Sequence, residues 1–142
     1  MLTTLAIFIG SILGLLLISA FFSGSETALT AVSKARIRHL SDEGNKKAEV
    51  VETLIAQQDT LISTLLLGNN LVNILASALT TSLFISIFGD VGVIIATIIM
   101  TSLVVIFAEI LPKVLALKHS DRWALKAALF IKITVKILGP IA

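Results

Sequence analysis

Three short polar clusters interrupt apolar sequence in this chain: Ser23-Gly24-Ser25-Glu26-Thr27, Gly68-Asn69-Asn70 with Asn73, and Glu109-Ile110-Leu111-Pro112-Lys113. Together they offer hydroxyl, amide-carbonyl and carboxylate oxygens. The chain has no cysteine, and both histidines, His39 and His119, fall in polar segments. The available donor set is therefore oxygen only. Such ligands suit hard cations such as Mg2+, Ca2+ and Na+, whereas zinc and copper draw imidazole or thiolate. The candidate metal ligands are Ser23, Ser25, Asn69, Asn70, Asn73 and Glu109. Pro112 lacks an N–H, so the carbonyl of Ala108, four residues back, loses its helical partner beside Glu109. Gly24 and Gly68 are weak helix positions at which the chain could unwind and free further carbonyls, as discontinuous transport helices do.

Each of these residues also has a plain structural alternative. Ser and Thr in apolar helices bond back to their own carbonyls, and Asn joins neighbouring helices. Glu109 and Lys113 have the i,i+4 spacing of an intrahelical ion pair, and Glu26 is within reach of basic residues in the next segment. What favours a shared site is depth. Ser23 lies 11 residues before Lys34, Asn69 lies 10 after Asp59, and Glu109 lies 9 before Lys118. At about 1.5 Å per residue all three sit about 14–16 Å from these charges on the cytoplasmic side, near the middle of an apolar layer about 30 Å thick.

The elements that must carry these clusters follow from the charge pattern. Hydrophobic residues make up 56% of the 142 and charged residues 14%, where a soluble domain carries about a quarter charged. Glu26 is the sole charge before Lys34, and Asp90 and Glu109 are the sole charges from residue 60 to residue 112. A spanning helix needs about 20 apolar residues. The expected fold is an all-α membrane protein with three transmembrane helices, about 2–31, 60–88 and 91–117, the last two joined by a tight turn at Gly89-Asp90.

Two cytoplasmic juxtamembrane pieces complete the single domain. Residues 33–58 read as two amphipathic helices broken at Gly44-Asn45. Residues 121–138 read as one helix with Arg122, Lys126, Lys132 and Lys136 in a single stripe. It is expected to lie in the membrane interface with its basic side chains on anionic headgroups, since three lysines in hydrocarbon would cost several kcal/mol. No Lys or Arg precedes Lys34, so the first helix lacks the basic start of a signal peptide and is expected to be retained. The basic residues fall in 34–59 and 113–142, which sets the N-terminus outside and the C-terminus in the cytoplasm of a cell membrane. Gly10 and Gly14 match a small-xxx-small contact pattern. The chain stops two residues after Gly139-Pro140, as expected of a piece of a longer protein. A net charge of +2 gives no reason to expect a nucleic-acid partner. With no histidine near a buried serine and no pair of intramembrane aspartates, no enzyme activity is expected.

In order and on three spans, Phe21-Phe22-Ser23-Gly24-Ser25-Glu26-Thr27-Ala28, Gly68-Asn69-Asn70-x-x-Asn73 and Glu109-Ile110-Leu111-Pro112-Lys113 resemble the transmembrane domain of the CorC / cyclin-M (CNNM) family. The resemblance implies a homodimer that exports Mg2+, driven by Na+, through an ion site to which Ser23, Asn69, Asn70, Asn73 and Glu109 correspond. It also implies a cytosolic pair of nucleotide-binding CBS domains, which are not among these residues. Glu26 departs from the animal members of the family and stands outside the ligand set. Two other functions fit the same features: a dimeric membrane anchor for cytosolic regulatory domains, and an uncoupled divalent-cation channel.

Overall fold

The computed structural model describes residues 2–140. Proline-free sequence with Glu26 as its one charge forms one helix of 30 residues at the start, α1 (Leu2–Ala31). Two short helices follow, α2 (Lys34–Asp42) and α3 (Lys46–Ala56). Their starts are fixed by capping. Ser33 Oγ accepts from the Arg36 N–H at 3.3 Å, and Asn45 Oδ1 accepts from the Ala48 N–H at 3.1 Å. Gly44 takes the left-handed conformation (φ 93°) between them. The break falls where the sequence places it.

From α4 (Gln58–Phe88) the chain stays helical to Lys118, through a 3-10 turn at Gly89–Val91, α5 (Gly92–Leu103), a π-helical segment at Val104–Ile110 and α6 (Leu111–Lys118). A straight helix of these 61 residues would extend about 90 Å, three times the hydrocarbon thickness of a bilayer. Instead the chain reverses at Gly89, whose φ of 72° suits glycine. Gly92 then packs so closely on the Phe84 carbonyl that a β-carbon would clash with it. As a result α5 runs back along α4, with Thr97 opposite Thr81 and Val105 opposite Asn73. The last helix, α7 (Ser120–Leu138), lies against α1 and α3. Its first turn is anchored by Asp121, which accepts from Arg36 at 2.8 Å and from the Ser33 N–H at 3.1 Å.

Leu2–Ala31 and Gln58–Lys118 are the stretches long and apolar enough to cross a membrane. Burial decides between a membrane and a soluble core. Only 17% and 22% of their most apolar windows are buried within the chain, where the core helix of a soluble protein would bury most of its length. Leu17, Ile74, Ile94 and Ile98 point outward at 63–72% exposure, a surface suited to lipid.

Two apolar clusters hold the helices together. One joins Ile12 and Leu16 of α1 to Ala76, Met100 and Ala108. The other joins Ala28 and Leu29 to Ile37, Val51, Leu61, Leu65, Ala116 and the buried face of α7, Ala124, Ala127, Ala128 and Ile131. The small side chains on that face let α7 approach α1 closely. Its other face leaves Leu129, Phe130, Ile133 and Ile137 exposed alongside the lysines.

The glycines differ from the sequence expectation. Both α1 and α4 continue unbroken through Gly24 and Gly68. Gly24 instead seats the Trp123 ring, which occupies the space a β-carbon would take, and a β-carbon at Gly68 would lie 3.2 Å from the Phe22 ring. Gly10 and Gly14 meet nothing within 4 Å. The two kinds of glycine therefore respond oppositely to alanine. Gly24→Ala gains about 1 kcal/mol of helix propensity but overpacks the ring at about 1–3 kcal/mol or more, so the thermal midpoint should fall. Gly10→Ala meets no obstacle, and in a thermal melt of the detergent-solubilised protein it should hold or raise the midpoint.

Candidate metal centre

Between the two apolar clusters lies a polar layer. On α1 it falls between Leu16 and Ala28 and holds Ser19, Ser23 and Ser25, each at most 1% exposed. On α4 it falls between Leu65 and Ala76 and holds Asn69 and Asn73. On the returning strand of helix it falls between Ala108 and Ala116 and holds half-buried Glu109 and buried Pro112. Because α1 packs against the π-helical segment and α6, the Glu109–Pro112 stretch runs alongside the serines.

The closest geometry is at Ser19, a residue outside the sequence motifs. Its Oγ lies 2.6 Å from Asn69 Oδ1 and 2.7 Å from Asn73 Oδ1. One turn of helix separates Asn69 from Asn73, and one turn separates Ser19 from Ser23, so each pair shares a face. A hydroxyl has a single proton and can donate to only one of the two carbonyl oxygens. Three oxygens therefore converge with one hydrogen among them. Either one amide turns to offer its NH2, or a positive charge sits among the oxygens. Ser19 was legible only by helical periodicity from Ser23, and nothing in its own neighbours Ile18 and Ala20 sets it apart.

Other candidates are placed differently. Ser25 is about 200° around the helix from Ser23. Its Oγ accepts from Trp123 Nε1 at 3.1 Å, which partners the hydroxyl with α7. Asn70 is exposed on α4, away from the face that Asn69 and Asn73 share. Ser19 thus joins Asn69 and Asn73, Ser23 and Glu109 lie at the same level between the apolar clusters, and Ser25 and Asn70 point elsewhere. Thr27 donates back to the Ser23 carbonyl at 3.1 Å, the plain helical role. Among the described residues neither Glu26 nor Glu109 forms an ion pair, so the Glu109–Lys113 pairing is not made.

The backbone at Glu109 also departs from simple expectation. Proline at 112 predicts a free Ala108 carbonyl within an α-helix. The chain instead widens to a π-helix over Val104–Ile110, and the Leu111 N–H bonds the Ile106 carbonyl five residues back. In that register the N–H missing at Pro112 is the partner of the Phe107 carbonyl. Such π-turns recur at functional sites, because the extra residue displaces side chains and carbonyls from the regular ladder. Here it does so next to Glu109, one of two half-buried carboxylates at this level, the other being Glu26 on α1. Among the described residues no three His, Cys, Asp or Glu side chains cluster, so neutral oxygens dominate the layer.

Comparison with known proteins gives the family of the chain. Residues 10–142 match the family model of the cyclin M transmembrane N-terminal domain. The UPF0053 inner membrane protein YfjD of Escherichia coli is 44% identical over 107 residues, covering 75% of this chain and 25% of the relative. A UPF0053 protein of Haemophilus influenzae is 41% identical over 126 residues, covering 89% of this chain and 30% of its own length. The UPF0053 protein sll1254 of Synechocystis is 31% identical over 130 residues, 92% of this chain and 36% of the relative. The chain thus spans between a quarter and about a third of the relatives it matches. A helical membrane domain with these motifs and this family match belongs to the CorC / cyclin M (CNNM) transmembrane family.

Proposed function

We propose that this domain moves Mg2+ across the cell membrane, outward and in exchange for Na+, through the polar layer. The observation that carries this reading is the convergence of Ser19, Asn69 and Asn73 oxygens with too few protons, beside Ser23 and Glu109. Glu109 supplies charge to offset part of the cation's dehydration cost, and Ser23, Asn69 and Asn73 supply neutral oxygens. A carbonyl freed by Pro112 is the additional ligand. Mg2+ demands near-octahedral geometry at about 2.0–2.1 Å and keeps water reluctantly shed. A π-turn that can lose or regain one residue of register is a means of opening and closing such a shell. This role is transport, with no chemical step.

In this reading the chain crosses the inner membrane three times, since the hairpin at Gly89 divides the long helical stretch into two crossings. The N-terminus faces outward, and α2, α3 and α7 lie on the cytoplasmic side. Two copies form the working unit. A groove between α4 and α5, about 300 Å³ and lined by Asn73, Ser77, Thr81 and Thr101, is a poor surface for lipid and supports coverage by a second copy. The cytosolic CBS-type domains that the family resemblance implies take no part in the ion site.

Glu109→Gln keeps shape and one carbonyl oxygen but removes the charge. Mg2+ at a hundred times its dissociation constant should stabilise the wild type by about 2.7 kcal/mol, and Glu109→Gln should lose this gain while staying folded. Ser19→Ala, which leaves two buried amides without their shared hydroxyl, should cost about 1–3 kcal/mol of stability and weaken Mg2+ binding less than Glu109→Gln. Lys113→Ala should leave Mg2+ binding unchanged. A thermal-shift titration reads all three, and unchanged Mg2+ affinity in Glu109→Gln contradicts the site.

Transport itself is tested in liposomes with an internal Mg2+ dye. An anchor moves nothing, a channel follows the Mg2+ gradient alone, and the proposed exchanger responds to an imposed Na+ gradient. Topology is tested with single cysteines at Thr3, Asn45 and Asp90, in a chain with no other cysteine. An impermeant thiol reagent added to intact cells should label the first and last, and labelling at Asn45 contradicts the orientation.

A further inference from the structure

At the edge of the packed face of α7, where Ala127 and His119 join its lining, an apolar groove of about 420 Å³ opens between α1, α6 and α7. Its walls are Phe21, Leu115, Trp123 and Phe130, with Phe21 and Phe130 in edge contact at 6.1 Å between ring centres. Arg122 and Lys126 line the same groove. Both are exposed, and among the described residues neither forms an ion pair, because Asp121 is engaged with Arg36. They are one turn apart on α7, so their like charges repel unless an anion stands between them. An apolar slot with two uncommitted cations along it has the shape and charge of one ligand class.

We propose that this groove is a seat for an anionic phospholipid, separate from the ion site and independent of its assignment. The phosphate lies between Arg122 and Lys126, and an acyl chain lies along Phe21, Leu115 and Phe130. The charge pattern selects an anionic over a zwitterionic headgroup, since each basic residue at a membrane surface adds attraction for anionic lipid. The other edge of the Trp123 ring packs on Gly24 and donates to Ser25. The lipid therefore touches the side chain that braces α1 one residue from Ser23.

Trp123 is the only tryptophan in the chain and reports on its own groove. The 142-residue protein is reconstituted in phosphatidylcholine vesicles containing either brominated phosphatidylglycerol or brominated phosphatidylcholine at the same mole fraction. Brominated phosphatidylglycerol should quench Trp123 with about thirtyfold higher apparent affinity, the selectivity expected of two basic residues. Arg122→Gln with Lys126→Gln should remove the excess. Lys132→Gln removes one positive charge beside Glu49, outside the groove, and should leave it. Should the double variant fail to fold, wild-type protein decides: unlabelled phosphatidylglycerol should relieve the quenching, and soluble glycerol phosphate should not. Equal quenching by the two lipids overturns the seat. So does an excess that falls as much with Lys132→Gln, which would mean general surface attraction. Shielding of Trp123 from both lipids, which would place a second copy in the groove, also overturns it.

Discussion

Oxygen-bearing side chains in an apolar layer must be partnered, because each unpaired polar group there costs on the order of kilocalories and an unpaired charge costs more. The architecture of this domain follows from that constraint. Apolar clusters above and below, around Met100 and around Leu65, press α1, α4 and the returning helix together and exclude other partners. Ser19, Ser23, Asn69, Asn73 and Glu109 are confined to the gap between them. Three oxygens around the single Ser19 proton are tolerable in such a gap only with a compensating donor or cation. Trp123 partners the Ser25 hydroxyl from outside the layer.

That last contact ties the layer to α7. Helix α7 is long and alanine-lined on one side, so it docks on α1 while its basic and apolar residues on the other side stay exposed. Gly24 is the point of closest approach, where the absence of a side chain admits the indole. The Asp121 carboxylate adds a second tie, from the start of α7 to the start of α2.

Much of this was legible in the sequence. Charge spacing located the apolar stretches, Gly44-Asn45 and Gly89 marked turns that the backbone makes with positive φ, and Ser33 and Asn45 cap the helices they precede. Depth counting put the serine, asparagine and glutamate clusters at one level, where the structure also has them between two apolar clusters. What escaped was rotational. Counting along a helix gives depth but not face, so Asn70 and Ser25 counted equally with Asn69 and Ser23 until neighbours were in place. Gly24 was misread as a weak point because its partner, Trp123, is 99 residues away in sequence. Pro112 announced a backbone irregularity, but whether it frees the carbonyl at 107 or 108 depends on a π-turn that no local pattern encodes.

The claim on which the rest depends is that the layer around Ser19, Ser23, Asn69, Asn73 and Glu109 holds a divalent cation. Crystals of the protein grown with Mn2+ in place of Mg2+ give an anomalous signal that locates the ion directly. The expected result is a peak between α1 and the Val104–Ile110 segment, within coordinating distance of the Glu109 carboxylate and the Asn69 or Asn73 carbonyl oxygen, and lost in Glu109→Gln. Anomalous density confined to the polar ends of the helices, at Mn2+ concentrations that saturate transport, would contradict it.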